Sequence, residues 1–148
     1  MIIDKNIKHY YQQWLNCWPT SLRMIATWKY KWKRNKFFDE VCNLWNSWTT
    51  IYNLQEGAMM LWYKTVLYQN AEIETLKTYL LNWYSIIVLY SSFWWFIWHY
   101  STIKQITKTH IKLYDPIWGI RKITISHFLE IFQTKHKDWK RNFLAIKE

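Results

Sequence analysis

Residues 78–103 read TYLLNWYSIIVLYSSFWWFIWHYSTI, and no Asp, Glu, Lys or Arg interrupts them. A helix crossing a hydrocarbon core of about 30 Å needs about 20 predominantly apolar residues, and this run exceeds that length. Leu80, Leu81, Ile86, Ile87, Val88, Leu89, Phe93, Trp94, Trp95, Phe96 and Ile97 supply an apolar interior. Trp83 stands toward one end and Trp98 toward the other, where interfacial rings would anchor a span. The sequence therefore predicts an all-α chain, with a single transmembrane helix over 77–104 flanked by amphipathic interfacial and matrix helices. The competing reading is a helix buried in a globular core, which is more often shorter and broken by small residues.

Lys64 and Lys77 precede the span, whereas Lys104, Lys108, Lys112, Arg121 and Lys122 follow it. The excess of cations after the span directs the C-terminal side to the matrix or cytoplasm. Lys104, Lys108 and Lys112 recur every four residues opposite Ile103, Ile106, His110 and Leu113, which predicts a basic amphipathic helical extension over 105–148. That helix stops at YDPIWG, where Asp115-Pro116 and Gly119 supply turn chemistry. A last helix would carry Ile125, Phe128, Leu129, Phe132, Trp139 and Phe143 on one stripe.

Residues 1–76 are also helical in pattern but more polar, with a stripe of Val41, Leu44, Trp45, Trp48, Tyr52, Met59, Trp62 and Val66, so they are read as interfacial. Within them WKYKWKRNKFF at 28–38 interleaves rings with Lys29, Lys31, Lys33, Arg34 and Lys36. As a strand it would offer a base-stacking platform. As a helix it would flank an anionic membrane, and beside a membrane span the second reading is preferred. These five cations, with Lys104, Lys108 and Lys112, are the expected contacts to lipid headgroups or an acidic partner.

The chain has 148 residues, a formal net charge of +10, and Trp 13, Tyr 11 and Phe 7 against Gly 2 and Pro 2. So basic a chain calls for an acidic partner such as RNA or anionic lipid. Residues with AT-rich codons abound, yet Trp is frequent, which fits a gene in which UGA also encodes Trp. The opening MIIDKNIKHYY lacks the features of a signal or transit peptide. Cys17 and Cys42 lie too far apart for a CxxC pair and read as two buried thiols, with a single disulfide between them as the alternative.

No converging catalytic constellation is evident. Gly57 and Gly119 make no phosphate loop, and no nucleophile elbow or HExxH pair is present. His99 reads as an interfacial side chain at a membrane boundary, although His99 and His110 would share a helix face. A non-enzymatic role, with no metal or cofactor beyond a bound anionic lipid such as cardiolipin, is expected.

Over its full length, in composition and in runs such as FWWFIW, the chain resembles small proteins encoded in ciliate mitochondrial genomes. That resemblance implies a non-catalytic subunit of an inner-membrane energy-transducing complex. The span with its basic extension is similar to subunit eight, or a shortened subunit b, of the ATP synthase Fo region. An accessory subunit of complex I or cytochrome c oxidase is the alternative. The implied partners are larger membrane subunits and anionic phospholipid. A mitochondrial ribosomal protein contacting RNA is the reading from another class.

Overall fold

The computed structural model describes residues 3–5, 7–11, 17–26, 29–30, 32–42, 51–91, 98–132 and 141–148. The elements in chain order are β1 (Ile3–Asp4), α1 (Cys17–Ala26), α2 (Asn35–Val41), α3 (Ile51–Met60), β2 (Lys64–Tyr68) and α4 (Ile73–Leu81). They continue with β3 (Ser85–Ser91), β4 (Trp98–Ile106), β5 (His110–Asp115), β6 (Gly119–Thr124), α5 (Ile125–Ile131) and β7 (Phe143–Lys147). The strands form one antiparallel sheet in the order β2-β7-β3-β4-β5-β6, with β1 paired to the far end of β4.

The fold is therefore mixed α/β, and the expected all-α chain with a transmembrane helix is overturned. Residues 78–103 comprise the end of α4, all of β3 and the start of β4. Among the described residues, no helix is long and apolar enough to cross a membrane. The predicted placement in a mitochondrial inner membrane with the C-terminal side toward the matrix rested on that helix and is withdrawn with it.

The cause of the misreading is β3 itself. Ile86, Val88 and Tyr90 pack on one side of the sheet with α4 and α5, against Leu76, Leu80, Phe128 and Phe132. Ile87 and Leu89 pack on the other side with α1, α2 and α3, against Leu22, Phe38, Leu54 and Ala58. A strand covered on both faces loses the alternation that betrays a half-exposed one and reads as a continuous apolar run. Leu80 and Leu81 belong to α4, Trp83 to the turn after it, and Ile86, Ile87, Val88 and Leu89 to β3. Phe93, Trp94, Trp95, Phe96 and Ile97 lie outside the described residues, as do Lys31, Leu44, Trp45, Trp48 and Trp139.

The basic extension is likewise a hairpin, with Lys104 in β4, Lys108 in the connection and Lys112 in β5. A spacing of four is also a multiple of two, so strand alternation produces it as readily as a helix does. Ile125, Phe128 and Leu129 are helical in α5, but Phe143 lies in β7. Because β2, β3 and β7 are neighbours, the sheet crosses both boundaries drawn at 76/77 and 104/105.

The last strand, β7, lies between β2 and β3, so the sheet closes only when the C-terminal residues insert. Phe143 is fully buried there, stacked on Tyr68 at 5.3 Å and edge-on to Tyr79 at 5.3 Å. Phe143→Ala should lower the unfolding free energy by about 3–5 kcal/mol in urea melts, through lost burial and the cavity left beside the rings of Tyr68 and Tyr79.

Candidate functional site

Asp115 ends β5, and its carboxylate is fully buried. The Pro116–Trp118 turn that follows folds back over it. Ile117 N–H and Trp118 N–H donate to Oδ1 at 2.8 and 3.1 Å. His99 Nε2 donates to the same oxygen at 2.9 Å, and the Tyr90 hydroxyl donates to Oδ2 at 2.8 Å. Arg121 Nη1 stands 3.5 Å from Oδ2. Gly119 closes the turn at φ +79°, where a side chain would be strained, and the Tyr11 hydroxyl lies 3.3 Å from where a Cβ would stand.

His99 is also buried, on β4 directly opposite Tyr90 of β3, and the two rings meet edge to face at 5.5 Å. Tyr90 is fixed in turn by Ser101, whose hydroxyl is 2.7 Å from its own. Since Nε2 of His99 is held by Asp115, its Nδ1 is the nitrogen left for another partner. Cys17 lies close enough to the His99 ring to favour its charged form.

Cys17 is the first residue of α1, and Pro19 sits in the first turn, where a missing N–H breaks no intrahelical bond. Negative charge developing on the sulfur there meets the free backbone N–H groups of the helix N-terminus. Two buried hydrogen bonds staple α1 to β4: the Ser21 hydroxyl donates to Tyr100 O at 3.3 Å, and the Thr102 hydroxyl donates to Ser21 O at 3.2 Å. They fix the helix carrying the thiol against the strand carrying the imidazole.

The electrostatics follow from this geometry. Burial alone would favour neutral His99, but its interactions with Asp115 and Cys17 outweigh that, and its pKa is pushed up to about 9. Burial likewise opposes the Asp115 carboxylate. The His99 hydrogen bond and charge, with Ile117 N–H and the Tyr90 hydroxyl, overcome that and hold it well below the usual carboxylate range. Asp115 is therefore an anion facing an imidazolium. Cys42 is a contrast: buried beside Asp39, its thiol is pushed far up and stays protonated.

Neither the predicted anchor residues nor the predicted cationic contacts enter this site. Leu80, Ile86, Ile87, Val88 and Leu89 are core. Lys29, Lys33, Arg34 and Lys36 are exposed around the connection between α1 and α2. Lys104 pairs with Asp4 at 2.8 Å, Lys108 is exposed, and Lys112 is half-buried in β5. Among the described residues there is no cluster of His, Cys, Asp and Glu able to hold a metal ion. The site residues were visible in sequence only as a buried thiol, an interfacial histidine and a turn aspartate. The available signal was one Cys heading a helix, with a downstream His and Asp whose spatial meeting no local pattern encodes.

No family model matches the sequence, and no curated protein matches it. Solved structures do match the fold. A double glycine motif protease from an AMS/PCAT transporter, in complex with the leader peptide, superposes with a TM-score of 0.76 at 18% identity, over 97% of this chain and 93% of that one. The peptidase domain of Streptococcus ComA, a bifunctional ABC transporter, gives 0.76 at 17% identity over 95% and 97%. A C39-like peptidase from Bacillus anthracis gives 0.71 at 12% identity over 100% and 98%. The chain thus has the C39 peptidase fold. The expected resemblance to ATP synthase or respiratory subunits is overturned by these neighbours, and with it the non-catalytic structural role in an inner-membrane complex.

A pH dependence of stability follows. The raised pKa of His99 gives stability that is complete below its ordinary value of 6.5 and lost as pH rises toward about 9. The depressed pKa of Asp115 gives stability present above about pH 4 and lost as pH falls further. The urea midpoint should therefore fall between pH 6.5 and 9, and His99→Gln should flatten that fall.

Proposed function

We propose that the chain is a cysteine peptidase in which Cys17 is the nucleophile, His99 the general base and acid, and Asp115 the group that orients His99. The observation that carries this reading is the His99–Asp115 hydrogen bond with Cys17 beside the same imidazole, on a fold shared with peptidase domains. The Cys17 sulfur, having given its proton to His99, would attack the scissile carbonyl carbon. Charge on the carbonyl oxygen would develop beside the free N–H groups at the start of α1. His99 would then protonate the departing amine as the C–N bond breaks, leaving a thioester on Cys17. Water, deprotonated by His99, would hydrolyse that thioester and regenerate the thiol.

Asp115 keeps the Nε2–H tautomer of His99 in place and stabilises the imidazolium, the role of the third member in triads of this kind. The neighbouring protease is named for a double-glycine motif and is seen with a leader peptide, which supports a polypeptide partner for this chain and a glycine pair at the cleaved position. Physical reasoning agrees, because Cys17 is only 8% exposed and a residue without Cβ lets the carbonyl approach it most easily. The exposed Ile117, Trp118 and Tyr11 stand on the turn and the entering segment beside Asp115, where a substrate chain would lie.

Cleavage of a synthetic peptide containing Gly-Gly, followed by mass spectrometry, tests the reading. Cys17→Ala should lower kcat by a factor on the order of 10⁴ or more, and Asp115→Asn by up to about 10⁴ with KM little changed. Activity should decline as pH rises through about 9, where His99 loses the proton it must donate. Iodoacetamide should label Cys17 and spare Cys42. Full cleavage by the Cys17→Ala variant would end the proposal.

A further inference from the structure

Besides Trp32, Tyr52 and Tyr68, the large exposed apolar side chains among the described residues fall into two groups. One group, Tyr11, Ile117, Trp118 and Ile120, borders the site. The other, Met59, Met60, Trp62, Leu81 and Trp83, does not. β2 and β3 both run antiparallel to β7, with Lys64 opposite Lys147 and Ser85 opposite Ile146, so both strands start at the same end of the sheet. Trp62 and Trp83 each stand two residues before those starts, about 10 Å apart across one intervening strand. The site lies at the other end of β3, about 20 Å away.

The two tryptophans occupy equivalent and unfavourable positions. Trp62 N–H bonds Met59 O and Tyr63 N–H bonds Ala58 O, while Trp83 N–H bonds Leu80 O and Tyr84 N–H bonds Tyr79 O. Each is thus the left-handed residue of a Schellman turn, at φ 67° and 69°, where glycine is favoured because Cβ crowds the next carbonyl. Burial does not offset that strain, since the side chains are 84% and 79% exposed. α3 and α4 lie on opposite faces of the sheet, so the same device ends one helix in each layer.

Cations rim this end. The tyrosine after each tryptophan lies under an ammonium group, Lys29 over Tyr63 at 5.4 Å and Lys147 over Tyr84 at 5.3 Å. Lys64 and Lys147 are direct cross-strand partners, a like-charge pair that repels unless an anion joins it. Glu148 contributes a negative charge near Tyr63. Paired tryptophans with lysines at their rim, on a chain of net charge +10, match the headgroup layer of an anionic bilayer, where indole rings settle and phosphates meet ammonium groups.

We propose that this end seats on the surface of an anionic lipid bilayer through Trp62 and Trp83, with Lys64 and Lys147 against lipid phosphate. The site at the far end then faces solution. The inference does not depend on the peptidase reading, because it uses no residue of that site.

Sedimentation of the purified full chain with phosphatidylcholine vesicles, with and without phosphatidylserine, tests it. Binding should require phosphatidylserine and weaken with salt. The Trp62→Gly/Trp83→Gly double variant should lose at least tenfold in partitioning, and Lys64→Gln and Lys147→Gln about fivefold each. Glycine suits the left-handed positions, so the double variant should keep or raise the urea midpoint, which separates lost docking from unfolding. Absence of pelleting at low salt, or pelleting undiminished in the double variant, overturns the proposal. So does a dimer in sedimentation velocity that the double variant dissolves without any vesicle binding, which would assign this end to a second copy of the chain.

Discussion

The buried carboxylate of Asp115 is the group around which the rest is organised. Removing an ionised carboxylate from water costs several kcal/mol, and only a complete set of donors compensates. Here the donors come from four places: His99 on β4, Tyr90 on β3, Arg121 on β6 and the backbone of the turn after β5. His9 reaches the same residue from the N-terminal segment, donating from Nε2 to Asp115 O at 2.7 Å. A one-residue slip of β3 or β4 would carry Tyr90 or His99 to the opposite face and leave the charge unpaired. One anion therefore fixes the register of the sheet's β3–β6 half and the tautomer of its histidine together.

The thiol is positioned by different means. Ser21 and Thr102 tie α1 to β4, and Leu22 and Ala26 bury its inner face. The two cysteines then differ only in surroundings. Cys17 heads a helix beside an imidazolium, whereas Cys42 follows a helix, lies against Gly57 with 3.1 Å between its sulfur and the ideal Cβ position, and sees the charge of Asp39. The same side chain thus meets an imidazole in one place and a carboxylate in the other.

Much that was legible in the sequence was local. The turn at Asp115–Gly119 and the helical spacing of Ile125, Phe128 and Leu129 depend on neighbours in the chain, and the structure has a turn and α5 there. The central strand was illegible because its two faces are buried by separate helical layers, which turns SIIVLYS into a uniform apolar run that length alone assigns to a membrane helix. Lys104, Lys108 and Lys112 misled because their spacing satisfies both periods. The site was illegible for another reason: Cys17, His99 and Asp115 meet only after β3, β4 and β5 have paired and α1 has docked, and none of the three carries a flanking motif that records this.

The strand order explains how the two ends of the molecule came to differ. β3, β4, β5 and β6 are joined by consecutive connections, so the site end is built from neighbouring hairpins and locked by polar bonds. β2 and β3 are instead separated by β7, which arrives from the C-terminal residues. The chain runs from β2 through α4 into β3, so the two strands point the same way and each is preceded by its own helix. That crossover returns the chain to the end where it entered β2, and β7 inserts between the two strands with Lys147 between Trp62 and Trp83. The site end thus gains rigidity from a satisfied buried charge, while the opposite end keeps strained backbone, repelling lysines and exposed indole rings. Strained and exposed tryptophans cost stability within the chain, a cost that contact with a surface outside it would offset.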